Sequence, residues 1–174
     1  MDSSEYERKI ASRFASFDQD GNGYISRDDF NAAAVAVLRE FGVADRSLKG
    51  QDLYEGAEAF WQGMAGMADH DGDQRITREE FVGGALERLR ESPQSFRAIA
   101  EPFLSAVIAI ADADGDRELS PAEAERVLRA LGVAPELCGQ VAAALDADGD
   151  GRISEEEVLS AFAAYYTAPT VPAV

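Results

Sequence analysis

Apolar residues recur along this chain at helical spacing, in stretches broken by polar turns. Phe14 and Phe17, Ile108 and Ala111, and Ala142 and Leu145 are pairs three apart, each just before such a turn. Phe30, Phe81, Ala124 and Val158 stand just after the turns. Apolar positions at i, i+3 and i+4 mark helices with one face toward a shared core. Punctuation agrees. Ser4 with Glu7 reads as a cap for the first helix, and Gly42 and Gly132 read as helix stops. Ser92-Pro93 and Pro135 open later helices, and Pro102 is expected to kink the one it lies in. The pattern predicts an all-α fold of eight helices with no room for a sizeable sheet. Within the turns, Ile25, Ile76, Leu119 and Ile153 are isolated apolar positions. They are expected to form short two-stranded contacts, pairing the first turn with the second and the third with the fourth.

The turns themselves repeat. Four windows of 12 residues, 18–29 (DQDGNGYISRDD), 69–80 (DHDGDQRITREE), 112–123 (DADGDRELSPAE) and 146–157 (DADGDGRISEEE), start 51, 43 and 34 residues apart. Each has Asp at positions 1 and 3, Asp or Asn at 5, Ile or Leu at 8, Ser or Thr at 9, and an acid at 12. Position 9 followed three residues later by an acid is also a helix capping box: Ser26 with Asp29, Thr77 with Glu80, Ser120 with Glu123, Ser154 with Glu157. Pro121 sits at the first helical position, where its missing N–H costs nothing.

Charge sharpens this. Of 174 residues, 33 are acidic and 16 basic, a net charge of −17, in a chain that is 46% hydrophobic. That apolar content excludes a disordered acidic tail. A chain of this length buries roughly 70% of its unfolded surface on folding. The acidity excludes nucleic acid and anionic membrane surfaces as partners, since both demand a basic face. Yet 20 of the 33 acids lie in the four windows. The acidity is chiefly a set of local sites that invite cations.

Oxygen donors at this spacing suit Ca²⁺, which takes 6–8 oxygens at about 2.3–2.6 Å. Side chains at positions 1, 3 and 5 and the backbone carbonyl at 7 supply four. Water held by position 9 supplies another, and Glu at 12 can supply two. The candidate ligands are Asp18, Asp20, Asn22, Tyr24 and Asp29 in loop one; Asp69, Asp71, Asp73, Arg75 and Glu80 in loop two; Asp112, Asp114, Asp116, Glu118 and Glu123 in loop three; and Asp146, Asp148, Asp150, Arg152 and Glu157 in loop four. Tyr24, Arg75, Glu118 and Arg152 enter through their carbonyls, so their side chains are expected to be free. Because position 12 also belongs to the first turn of the next helix, metal binding and the pose of that helix are linked.

The loops differ in quality. Loop four matches at every position, with Gly151 at 6. Loop one has Gly23 there, but the shorter Asp29 replaces Glu at 12, which weakens Ca²⁺ and admits Mg²⁺ as a competitor. Loops two and three carry Gln74 and Arg117 at 6, where the turn requires positive φ. A non-Gly residue there costs about 1–2 kcal/mol, or about tenfold in affinity. Loop four thus ranks first, one and three next, and two last.

These windows resemble the EF-hand calcium loop. Four of them in 174 residues, with a long gap between the first two, resemble the sarcoplasmic calcium-binding proteins and their bacterial relatives of the calerythrin type. The resemblance spans residues 5–166. It implies two EF-hand pairs, here 1–91 and 92–174, packed face to face into one compact domain over 1–174. It also implies Ca²⁺/Mg²⁺ buffering or transport, commonly with one degenerate loop; none is plainly destroyed here, and loop two is the candidate for an empty site.

The composition separates a buffer from a sensor. Sensors expose Met-rich grooves. This chain has three Met against nine Phe and a Trp, and a short connection near 89–95. Both point to a closed core, into which Phe60, Trp61, Met64 and Met67 are expected to pack. The uncharged segment 165–174 could fold back as a plug over apolar surface or fray. The main reading is a Ca²⁺ buffer binding three or four ions. The alternative is a sensor that exposes an apolar surface to a protein target, which nothing in the chain specifies.

No catalytic motif is present. The single histidine, His70, is at outward-pointing loop position 2, and Cys138 has no histidine to activate it. One cysteine also excludes internal disulfides and gives no support for a thiolate cage. The N-terminus lacks signal-peptide features, and the uncharged run 158–174 is broken by Pro169 and Pro172, so no membrane span is expected. A monomeric cytoplasmic protein with no enzymatic activity is the expectation. Fourteen Arg against two Lys suit a high-GC bacterial genome.

Overall fold

A computed structural model describes residues 3–86, 88 and 91–167. It contains α1 (Ser3–Phe17), α2 (Arg27–Phe41), α3 (Leu48–Ala68) and α4, which opens at Arg78–Glu80 and widens into a π turn over Phe81–Leu86. Then come α5 (Pro93–Ala111), α6 (Pro121–Ala130), α7 (Pro135–Leu145) and α8 (Glu155–Thr167). The expected eight helices and two short sheets are present. β1 (Tyr24–Ile25) pairs antiparallel with β2 (Ile76–Thr77), and β3 (Glu118–Leu119) with β4 (Ile153–Ser154). Ile25 faces Ile76 and Leu119 faces Ile153, all buried, so each sheet ties two loops together over the core.

Local signals act where they were read. Gly42 ends α2 with φ 65°, and Gly132 has φ 90° just past α6. Pro93, Pro121 and Pro135 each occupy the start of a helix. Pro102 lies inside α5, which runs from Pro93 to Ala111. The side chains of Ser4 and Glu7 lie outside the described residues, as do most of the connection at 87–90 and the tail beyond Thr167.

One hydrophobic cluster draws on both halves. At its centre is Phe60 of α3, 2% exposed. Its ring centroid lies 5.0–6.1 Å from those of Phe17 (α1), Phe30 (α2), Phe96 and Phe103 (α5) and Phe162 (α8). Trp61 and Met64 are also buried, as expected, while Met67 is half-buried. Each fully buried side chain of this size contributes about 1.5–3 kcal/mol relative to exposure.

The crossing of α3 and α5 joins the halves. It depends on Gly56, where a Cβ would come within 2.7 Å of the Pro102 carbonyl oxygen and 2.8 Å of Phe103 Cα. Seven residues on, Gly63 is covered by Ile99. A second tie joins α2 to α6. Arg126 donates to the Glu40 carboxylate at 3.0 Å and to the Glu40 carbonyl at 2.7 Å, with its guanidinium 4.3 Å from the centre of the Phe41 ring.

Candidate metal centres

All four loops share one hydrogen-bond plan. The carboxylate at position 1 accepts from the N–H at position 6: Asp18 from Gly23 (3.0 Å), Asp69 from Gln74 (3.1 Å), Asp112 from Arg117 (2.9 Å) and Asp146 from Gly151 (3.0 Å). Position 3 accepts from the N–H of 5, and position 5 from that of 7. This inward turning of N–H groups forces residue 6 into the left-handed region. Gln74 and Arg117 adopt φ of 65° and 68°, as the sequence predicted, at the cost non-glycine residues bear there.

Position 12 closes each loop at both ends. One of its oxygens accepts from the N–H of position 9: Asp29 from Ser26 (2.8 Å), Glu80 from Thr77 (2.9 Å), Glu123 from Ser120 (2.8 Å), Glu157 from Ser154 (2.8 Å). The other accepts from the N–H of position 2: Gln19 (2.9 Å), His70 (3.2 Å), Ala113 (3.0 Å) and Ala147 (2.9 Å). The capping boxes were legible in the sequence; the position-2 amides were not.

These bonds hold the glutamates as anions. Backbone donation from Ser154 and Thr77 keeps Glu157 and Glu80 below the ordinary range. Burial pushes Glu123 up, but the Ser120 and Ala113 amides outweigh it and leave it lowered. Asp29 goes the other way. It is only 2% exposed, and burial raises its carboxyl despite amide bonds from Ser26, Asp20 and Gln19.

Carboxylate oxygens converge in every loop. Asp18, Asp20 and Asp29 form one triad, Asp69, Asp71 and Asp73 a second, Asp112, Asp114 and Asp116 a third, and Asp146, Asp148 and Glu157 a fourth. Within each, one oxygen per residue lies within 4.8 Å of the others. Ligands on a shell of 2.3–2.6 Å radius are at most about 5 Å apart, so the spacing fits Ca²⁺. Every donor is a hard oxygen. Glu80, Glu123 and Asp150 lie outside the triads of their loops; they accept from main-chain amides, as the triad members also do. Asn22 Oδ1 accepts from Tyr24 N–H at 3.1 Å.

The side chains at position 7 are not all free, contrary to expectation. Arg75 of loop two lies over the Tyr24 ring of loop one, 4.5 Å from its centre. Arg152 of loop four pairs with Asp116 and, at 3.7 Å, with Asp114 of loop three. Sheet pairing puts each arginine beside the partner loop. The only hint in the sequence was an arginine at position 7 in both second members.

At position 2 of loop two, His70 is exposed, with its ring beside Gly84. Cys138 is buried, its thiol directed at the Val133 and Ala134 carbonyls. Among the described residues, no helix is long and apolar enough to cross a membrane.

Known proteins share this fold. A family model of the EF-hand domain pair matches residues 7–86, and one of the single EF hand matches 143–162. A calcium-binding protein of Streptomyces coelicolor is 59% identical, with a TM-score of 0.92 over 95% of this chain and 99% of that one. The chain belongs to the EF-hand family of calcium-binding proteins. This EF-hand protein is also 25% identical to calerythrin of Saccharopolyspora erythraea over 127 residues, 72% of each chain. Calcium-loaded apo-aequorin of Aequorea victoria has the same fold, with a TM-score of 0.73 at 19% identity, over 99% of this chain and 95% of that one.

Proposed function

We propose that this EF-hand protein is a cytoplasmic Ca²⁺ buffer, monomeric and without enzymatic activity. It binds three or four ions through positions 1, 3, 5, 7 and 12 of its loops. A bound ion supplies two positive charges to each cluster of carboxylates; four take the formal charge from −17 to −9. The loop carboxylates repel one another and the chain's other acids less once neutralised, so loading tightens and stabilises the fold. Residues 1–91 and 92–174 act together as one domain.

The observation that carries buffering over sensing is the use of apolar surface. Phe60 packs on rings from α1, α2, α5 and α8 at once. Among the described residues, Leu48 is the one large hydrophobic side chain left exposed. A groove for a target would have to be taken from the core that joins the halves.

A sensor is the second reading. The Streptomyces coelicolor relative is a calcium-binding protein of prokaryotic calcium-mediated regulation. The π turn with Gly83 and Gly84, directly after loop two, is a feature that often marks functional sites.

Two measurements decide. Calorimetric Ca²⁺ titration at millimolar Mg²⁺ should give three or four sites; fewer than two would refute the loop assignment. Fluorescence of a hydrophobic dye should not rise on loading; a large Ca²⁺-dependent rise would establish the sensor.

A further inference from the structure

Arg152 has its two ends in two different sites. Its main-chain carbonyl is the position-7 ligand candidate of loop four. Its N–H donates to Asp150 of the same loop at 2.8 Å. Its guanidinium instead crosses the sheet to loop three, where it pairs with Asp116 and reaches Asp114 at 3.7 Å. These are two of the three carboxylates that converge in loop three. Ile153 is paired with Leu119 and Ser154 with Glu118, so the strand that follows Arg152 runs beside the partner loop.

The N-terminal pair supplies an internal comparison. Arg75 holds the same place in loop two, and its sheet has the same register. There the guanidinium stacks on Tyr24, the position-7 residue of loop one, 4.5 Å from the ring centre. Position 7 of loop three is Glu118, which offers no ring. The arginine there goes to the metal carboxylates.

We propose that Arg152 is a tethered counter-cation that sets the affinity of loop three. This rests on the Ca²⁺-binding reading above. The guanidinium and a divalent ion draw on the same two carboxylates, Asp114 and Asp116, so uptake in loop three competes with the arginine. The competition lowers the affinity of loop three and makes it sensitive to a residue whose backbone belongs to loop four. All three side chains are open to solvent, at 45% for Arg152, 61% for Asp114 and 31% for Asp116, so the effect is modest.

The test is calorimetric Ca²⁺ titration of the full chain and of Arg152→Gln, Glu123→Gln and the double variant. Glu123→Gln disables loop three. Arg152→Gln should tighten one site by about two- to fivefold, and that gain should vanish in the Glu123→Gln background. Melting in chelator gives a second readout. Arg152→Gln and Asp116→Asn should each lower the midpoint, and the double variant should fall by less than the sum. Unchanged affinities with all wild-type sites intact would overturn the proposal and leave Ca²⁺ binding standing. A gain that persists with Glu123→Gln would show a general charge effect and also overturn it. No Ca²⁺ uptake by the wild type would overturn both readings.

Discussion

The Tyr166 hydroxyl lies 2.5 Å from Ser16 Oγ, which joins the last helix of the protein to the first. The Tyr166 ring is 3% exposed and sits 5.0 Å from Phe17 and 5.2 Å from Phe96. The segment at 165–174 therefore begins inside the core; its proline-containing part, 168–174, is outside the described residues.

Burial pushes the Tyr166 phenol well up, against the hydrogen bond to Ser16 and the charge of Arg13, with Tyr165 its other titratable neighbour. A folded pKa above the unfolded one gives stability that is complete below about pH 10. It is lost as pH rises from there toward the folded value. Denaturant midpoints should fall between about pH 9 and 11. In Tyr166→Phe that fall should be shallower, with about 1 kcal/mol lost at neutral pH with the hydrogen bond. An alkaline slope equal to that of the wild type would rule Tyr166 out as its source.

Loop four offers the plainest ligand test. Glu157 holds the loop closed between Ala147 and Ser154 and has an oxygen in the carboxylate triad. Glu157→Gln should remove one Ca²⁺ site from the calorimetric stoichiometry. The same count as the wild type would mean that loop four does not bind through position 12.

Position 6 tests stored strain. Gln74 and Arg117 have φ of 65° and 68° without glycine's freedom. Gln74→Gly and Arg117→Gly should each tighten a site, by up to about tenfold. Equal affinities in competition with a chelating dye would show that position 6 does not limit binding.

Asp29 is expected to govern the choice of ion in loop one. Its short carboxylate is buried and held by Gln19 and Ser26 amides at 2.9 and 2.8 Å. Asp29→Glu adds one methylene and a longer reach, which suits the larger, flexible Ca²⁺ shell over the small octahedral shell of Mg²⁺. The Ca²⁺/Mg²⁺ affinity ratio should rise, as measured by Ca²⁺ titration across a Mg²⁺ series; an unchanged ratio would remove Asp29 as the determinant.

Gly56 tests the joint between the halves. Gly56→Ala would place a methyl within 3 Å of the Pro102 and Phe103 backbone, which has no soft atom to yield. A loss of about 1–3 kcal/mol is expected by thermal melting of the loaded protein. A wild-type melt would show that the crossing of α3 and α5 can open without cost.

The loops and their capping boxes were legible because the forces that make them act within a dozen residues, and the pairing because position 8 is apolar in all four loops. Amide N–H groups at positions 6, 5, 7 and 9 find carboxylates at fixed sequence offsets, and one apolar residue at position 8 fixes the sheet register. The family follows from that spacing. Other features depend on how distant helices cross. Gly56 meets Pro102, Ser16 meets Tyr166, and Arg152 meets Asp116 across separations of 46, 150 and 36 residues. Their local patterns do not differ from those of an ordinary helical glycine, an exposed serine or a loop arginine. The sequence alone determined four acidic loops of EF-hand pattern and the helices that carry them. Only the tertiary structure decided which apolar faces close on one another and where the position-7 arginines point, because both depend on close packing between elements far apart in the chain.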